Sequence, residues 1–120
     1  MKGIRMSSHA ALAYLRLVKI VLSLENQAPF RDLDQECIKL LEVIALGELE
    51  GTPLQVTKAM ELKHIASPAS IHRKLEALRG QGLIEHVFVE GNRRTKYLKP
   101  TELALVHYER ISQEMKLLAG

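Results

Sequence analysis

Residues 67–99, SPASIHRKLEALRGQGLIEHVFVEGNRRTKYLK, constrain this chain most, because the hydrophobic period changes in their middle between clear punctuation marks. Ser67 followed by Pro68 is a helix start: the hydroxyl accepts from a free first-turn amide, and proline occupies a position whose amide has no partner to lose. Ile71, Leu75 and Leu78 fall four and three apart, on one side of that helix. This leaves Ala69, Ser70, His72, Arg73 and Lys74 on or near its exposed side, and Gly80 and Gly82 end it. Over 83–89 and 95–99 branched and aromatic residues take over, and Glu90, Gly91, Asn92, Arg93 and Arg94 between them carry turn chemistry. The expectation is a helix followed by a two-stranded hairpin with a basic five-residue tip.

The flanking sequence is helical. Past Ser8 and His9 at its start, the stretch of residues 8–24 is apolar except for a narrow stripe of Arg16, Lys19 and Ser23 at spacings of three and four. A small domain cannot surround such a helix alone, so a second copy of the chain is the natural cover. Pro29 marks 26–33 as a connection, and Asp32 or Asp34 can cap the next helix, 34–48, whose Ile38, Leu41, Ala45 and Leu49 share one side with Cys37, Leu40 and Ile44 beside them. Gly47 is a weak point in it or its early end, and Gly51, Thr52 and Pro53 stop it. A short helix over 54–62, with Val56, Ala59 and Met60 inward, then leads to a turn at 63–66. After Pro100 and Thr101, the residues Ala104, Tyr108, Ile111, Met115 and Leu118 keep a 4-3-4-3 spacing that marks a final amphipathic helix. The dimer interface expected of the two terminal helices, 7–25 and 101–118, comprises Leu12, Leu15, Val18, Val21 and Leu22 with Tyr108, Ile111, Met115 and Leu118. A single intramolecular pairing of these helices would produce the same pattern.

With 120 residues, one domain over 1–120 is expected, with 34–99 as its core. Hydrophobic residues at 47% and charged ones at 26% exclude intrinsic disorder. Arg16 and Lys19 interrupt the first apolar run and exclude a membrane span there. The lone Cys37 excludes an internal disulfide and a cysteine zinc cluster, which fits a reducing, cytoplasmic setting; beside a core-facing stripe it reads as a buried structural thiol. The net charge of +3 is concentrated: residues 64–99 hold seven Lys and Arg against three acids, so this stretch alone carries +4. Such a patch favours a polyanion, and aromatic content of 4% with no Trp disfavours partners read by base stacking.

A duplex major groove admits one helix, whose first two turns reach the base edges. Ser67, Pro68, Ala69, Ser70, His72, Arg73 and Lys74 occupy those turns here, and Arg93, Arg94 and Lys96 of the hairpin can follow a phosphate backbone or enter the adjacent minor groove. The segments SIHRKLEALRGQGLIE and GNRRTKYLKPTELA, in the order helix, helix, helix, hairpin, helix, resemble the winged-helix transcription regulators of the MarR type over residues 33–112. The resemblance implies a mainly α fold with a small β-hairpin: a winged helix-turn-helix whose N- and C-terminal helices form a dimer interface. It further implies that the helix of residues 67–79 enters the major groove with Ser70, His72 and Arg73 at DNA-touching positions, that Arg94 or Arg93 reaches the minor groove, and that the protein is a homodimeric repressor of transcription. The turn MELKHIAS departs from the pattern by being a residue or two longer than usual. The chain is also short, and its terminal helices leave little room for a small-molecule effector pocket.

Two other classes remain for comparison. An enzyme is disfavoured, because none of His9, His64, His72, His86 and His107 pairs with another at helical ligand spacing and no phosphate loop or nucleophile motif is present, so no metal or cofactor is expected. A winged-helix module that binds protein or RNA through the same surfaces is the alternative to DNA binding.

Overall fold

The computed structural model describes residues 4–119, with side chains described from Ala11 to Leu118. Residues 1–3 and Gly120, part of the expected single domain, and the side chain of His9 lie outside the described residues. The elements are α1 (Ile4–Glu25), a 3₁₀ turn (Phe30–Asp32), α2 (Gln35–Leu49), β1 (Leu54–Gln55), α3 (Val56–Ala59), α4 (Pro68–Gly80), β2 (Ile84–Val89), β3 (Asn92–Pro100) and α5 (Glu102–Ala119). They divide into two compact units, one of residues 32–105 and the other of the described residues up to Arg31 and from Val106 onward.

In the larger unit, Asp34 caps α2 by accepting from the Cys37 amide at 2.8 Å. The helix then buries Cys37, Ile38, Leu40, Leu41 and Ile44. Ile71, Leu75 and Leu78 of α4 close on this core, as their spacing predicts, together with Ala59, Ile65, Leu83, Ile84, Leu98 and Ala104. The sheet is antiparallel, in the order β1-β3-β2. Thr101 joins the sheet to α5: its hydroxyl donates to the Gly82 carbonyl at 2.6 Å and accepts from the Ala104 amide at 3.4 Å.

Two local expectations change, and one open alternative is decided. Leu54 and Gln55, expected to begin a helix, instead form a strand paired with Leu98 and Tyr97, so α3 is a single turn. Pairing to an open edge of β3 offers these two residues backbone partners that a helix start would leave unmade. Gly47 does not end α2; the helix continues through it, and a Cβ there would lie 2.9 Å from the Thr52 carbonyl oxygen. The glycine is required by the returning chain, whose Thr52 amide donates to the Gly47 carbonyl at 2.9 Å. The hairpin turn is tighter than five residues: Val89 pairs with Asn92, and Gly91 turns the chain at φ +81°.

In the smaller unit, the apolar residues of α1 include many exposed side chains, and Leu24, Phe30 and His107 are buried. The Phe30 and His107 rings stack with centroids 3.8 Å apart. Burial holds His107 below its ordinary pKa, and the nearby Arg110 charge adds to this. No helix among the described residues is long and apolar enough to cross a membrane.

Candidate functional site

The N-terminal half of α4 is arranged as its sequence implies. The Ser67 hydroxyl accepts from the Ser70 amide at 3.3 Å, which fixes the first turn. Pro68, Ala69, His72 and Arg73 are exposed along the helix, and Ser70 is half-buried at its edge. A small-residue tip followed by an imidazole and a guanidinium is thus offered to solvent on a helix pinned by three fully buried aliphatic side chains.

Lys74 is the exception and corrects the expectation of an exposed contact residue. Its ammonium reaches Asp34 at 2.7 Å and Glu36 at 3.3 Å, with only 12% of the side chain exposed. The hydrogen bond to Asp34 raises the Lys74 pKa, and the same bond, with the Cys37 amide, lowers that of Asp34. Lys74 therefore ties α4 to the start of α2. Sequence spacing places it near the exposed face, but a four-carbon stem turns toward the nearest pair of carboxylates, which come from a segment 40 residues earlier.

The hairpin carries Arg93 and Arg94 on an irregularity, with Lys96 beside it. Phe88 pairs with Lys96 and Val89 with Asn92, so Arg93, Arg94 and Thr95 have no partner on β2. Extra residues of this kind redirect side chains out of the regular pleat. Asn92 holds the irregular segment by accepting from the Arg94 amide at 3.0 Å and donating to the Thr95 hydroxyl at 3.4 Å. Arg93, Arg94 and Lys96 are all exposed. The sequence marks Asn92 only as turn chemistry, and its organising role emerges from these two bonds.

Of the seven cations in 64–99, three are occupied internally: Lys74 as above, Arg79 by Glu76 at 3.3 Å, and Lys99 by Glu48 at 3.9 Å. Arg73, Arg93, Arg94 and Lys96 have no carboxylate partner among the described residues. Gln55, Val56 and Thr57 face Arg94, Thr95 and Lys96 across a groove of about 240 Å³. Nothing in the sequence marks Gln55 or Thr57, because a 54–62 helix would separate them from the hairpin. A second groove of about 490 Å³ runs along the end of α4, lined by Glu76, Arg79, Gly80, Ile84, Glu85 and His86. The His86 Nε2 is buried there without a partner, and burial followed by the Arg79 and Lys96 charges lowers its pKa. No group of three or more metal-ligating side chains occurs among the described residues.

Of the residues expected at a dimer interface, Leu12, Leu15, Leu22 and Met115 are exposed, while Val18, Val21, Tyr108, Ile111 and Leu118 are half-buried. Tyr14 at 65% and Leu117 at 74% enlarge the exposed apolar surface. Ala13, Tyr14, Leu17, Met115 and Leu118 line an apolar groove of about 220 Å³.

No protein-family model matches the sequence, and no curated protein does. Solved structures do match. RV1404 from Mycobacterium tuberculosis superposes with a TM-score of 0.62 at 14% identity over 98% of this chain and 76% of that one. Streptococcus pneumoniae FabT, solved in complex with DNA, gives 0.57 at 19% identity over 98% and 82%. A MarR protein from Peptoclostridium difficile gives 0.50 at 17% identity over 96% and 66%. The fold is the MarR-type winged helix. At these identities the likeness is one of fold. Within the MarR-type fold, α4 is the second helix of the helix-turn-helix and the β2–β3 hairpin is the wing. The turn before α4 is a hydrogen-bonded stretch from Lys58 to Ile65, in which the Glu61 amide donates to the Lys58 carbonyl and the Ile65 amide to the Leu62 carbonyl.

Proposed function

We propose that this protein is a transcription regulator that binds duplex DNA sequence-specifically as a homodimer and represses by occupying its site. The reading rests on one observation: in a single compact unit, the exposed start of α4 and the wing together hold four cations, Arg73, Arg93, Arg94 and Lys96, that no carboxylate among the described residues neutralises. That is the charge a polyphosphate backbone requires, next to a helix narrow enough for a major groove. The DNA complex of a fold relative at 19% identity supports it. In this reading Arg73 makes a bidentate contact to guanine, Ser70 and His72 read neighbouring bases or hold phosphate, and Ala69 touches a thymine methyl. Arg93, Arg94 and Lys96 supply the second grip on the minor groove or backbone. The exposed apolar residues of α1 and α5 are covered by a second copy, which sets two α4 helices against a two-fold site. No catalytic step belongs to this function.

Selection from a random duplex pool tests the proposal: a palindromic preference is expected. Arg73→Ala should then cost about 1 to 3 kcal/mol on the preferred site and relax its sequence dependence. Arg93→Ala with Arg94→Ala should weaken binding to all sequences alike. Absence of duplex binding at low salt refutes the proposal, and binding with little salt dependence supports a protein- or RNA-binding module instead.

A further inference from the structure

We infer that the free edge of β2 is an interface for a second copy of this chain, whose own β2 adds to it antiparallel and joins two sheets into one across a two-fold axis. The edge lies wholly in the larger unit and is separate from the terminal helices, so it goes beyond the homodimer proposed above and does not depend on DNA binding.

β2 is the outer strand of the sheet, beyond β3. The Thr101 amide donates to the Leu83 carbonyl at 3.0 Å, which sets the phase of the ladder. Bonded and non-bonded pairs alternate along antiparallel strands, so Glu85 with Lys99 and Val87 with Tyr97 share hydrogen bonds, whereas Ile84, His86 and Phe88 turn their amides and carbonyls outward. Pro100, opposite Ile84, has no amide to give and fits the same phase. No backbone group of another element among the described residues bonds to these outward groups.

Proteins normally guard such an edge with lysine, proline or a bulge. This strand has no such guard: it reads IEHVFV, its single charge is Glu85, and the wing irregularity falls on β3, so pairing along β2 is regular from Ile84 to Phe88. Phe88 and Val89 are exposed as well. An edge left open, regular and apolar is a strand-pairing site.

The sequence of the edge selects a second copy as its occupant. A two-fold axis at His86 places Ile84 of one copy opposite Phe88 of the other, His86 opposite His86, and Phe88 opposite Ile84. Every outward amide and carbonyl from Ile84 to Phe88 then has a partner. Apolar side chains meet across the seam, and Glu85 faces Val87 rather than another carboxylate. The groove of about 490 Å³ between α4 and β2 receives the incoming imidazole, which gives the buried, unpartnered Nε2 of His86 a nitrogen to bond. A strand of unrelated sequence would satisfy the backbone but not this pairing of side chains.

The test is the mass of the full chain by sedimentation equilibrium over a concentration series. The parent should associate beyond its smallest species. Phe88→Pro removes one outward amide from each copy and should weaken that association by about thirtyfold, as two lost hydrogen bonds imply. Phe88→Lys, a charge at an exposed edge position, should weaken it without removing a bond within the sheet. His86→Cys supplies a second readout: directly opposed bonded residues sit about 5.5 Å apart between Cα atoms, within disulfide range, so mild oxidation should link two chains. Glu85→Cys, whose counterpart lies diagonally at about 7 to 8 Å, should not link them. Cys37 is buried and does not compete. If the parent and both Phe88 variants have the same mass at every concentration, the inference is overturned and the edge is left to an extended segment of a different protein. Linkage through Glu85→Cys but not through His86→Cys overturns the register and the inference with it.

Discussion

Replacing Lys74 by methionine separates a structural cation from a DNA-contacting one. Methionine preserves most of the apolar stem and removes the ammonium that bridges Asp34 at 2.7 Å and Glu36 at 3.3 Å. Both carboxylates are half or more exposed, so each pair falls in the range of about 0.2 to 1 kcal/mol seen for solvent-screened ion pairs. Asp34 also keeps its bond to the Cys37 amide in the variant. The expected loss is therefore about 1 kcal/mol, or about 4 °C in melting temperature for a chain of this size. The pH dependence follows from the two shifts. Asp34 is held below its ordinary 3.8, so its stabilisation is present above that value and disappears as pH falls through the folded-state pKa. Lys74 is held above its ordinary 10.5, so its share is complete below that value and disappears as pH rises through the folded-state pKa. Urea titrations of parent and variant at pH 7 and pH 3 measure this: the gap at pH 7 should narrow at pH 3. Unchanged urea midpoints, together with a DNA salt slope reduced by about 0.9, would show that Lys74 contacts phosphate and that the bridge to α2 contributes nothing.

Gly47→Ala should destabilise by about 1 kcal/mol even though alanine favours a helix interior, because its Cβ would meet the Thr52 carbonyl at 2.9 Å; Gly80→Ala, which faces open space, should stabilise by about 0.5 kcal/mol. Thermal melts of the two should move in opposite directions. His107 and His86 both have pKa values held below the ordinary 6.5, chiefly by burial, so the unfolded chain takes up protons first and stability should fall as pH drops from 7 toward their folded-state values. The decline should be shallower in His107→Gln, and a flat parent profile over that range would contradict the burial of both rings. The Cys37 thiol is pushed up to about 11, first by burial and then by the Asp34 charge, so thiol reagents should label it only as fast as the protein unfolds. Complete labelling within seconds under native conditions would contradict this.

Much of the winged helix was legible because its signals are local. Ser67-Pro68 names a helix start by the hydrogen bonds it can make, and Ile71, Leu75 and Leu78 name the buried side by their period, independent of anything elsewhere in the chain. The Gly91 turn and the burial of Cys37 were legible for the same reason. What the sequence could not contain was the identity of partners distant along the chain. The 54–62 segment has a helical pattern, yet its first two residues pair with β3, because an unmet strand edge outweighs a weak local preference. Lys74 and Arg73 are adjacent and both basic; only the arrival of Asp34 and Glu36 beside one of them makes it a tie within the fold and leaves the other facing solvent. Gln55 and Thr57 carry no motif at all, and line the wing groove because the turn into α3 sets them opposite Lys96. The sequence by itself thus determined the four long helices, where the wing turns and where positive charge accumulates, all properties of neighbouring residues. The tertiary structure decided which of those charges remain uncompensated, because compensation depends on carboxylates brought near through space.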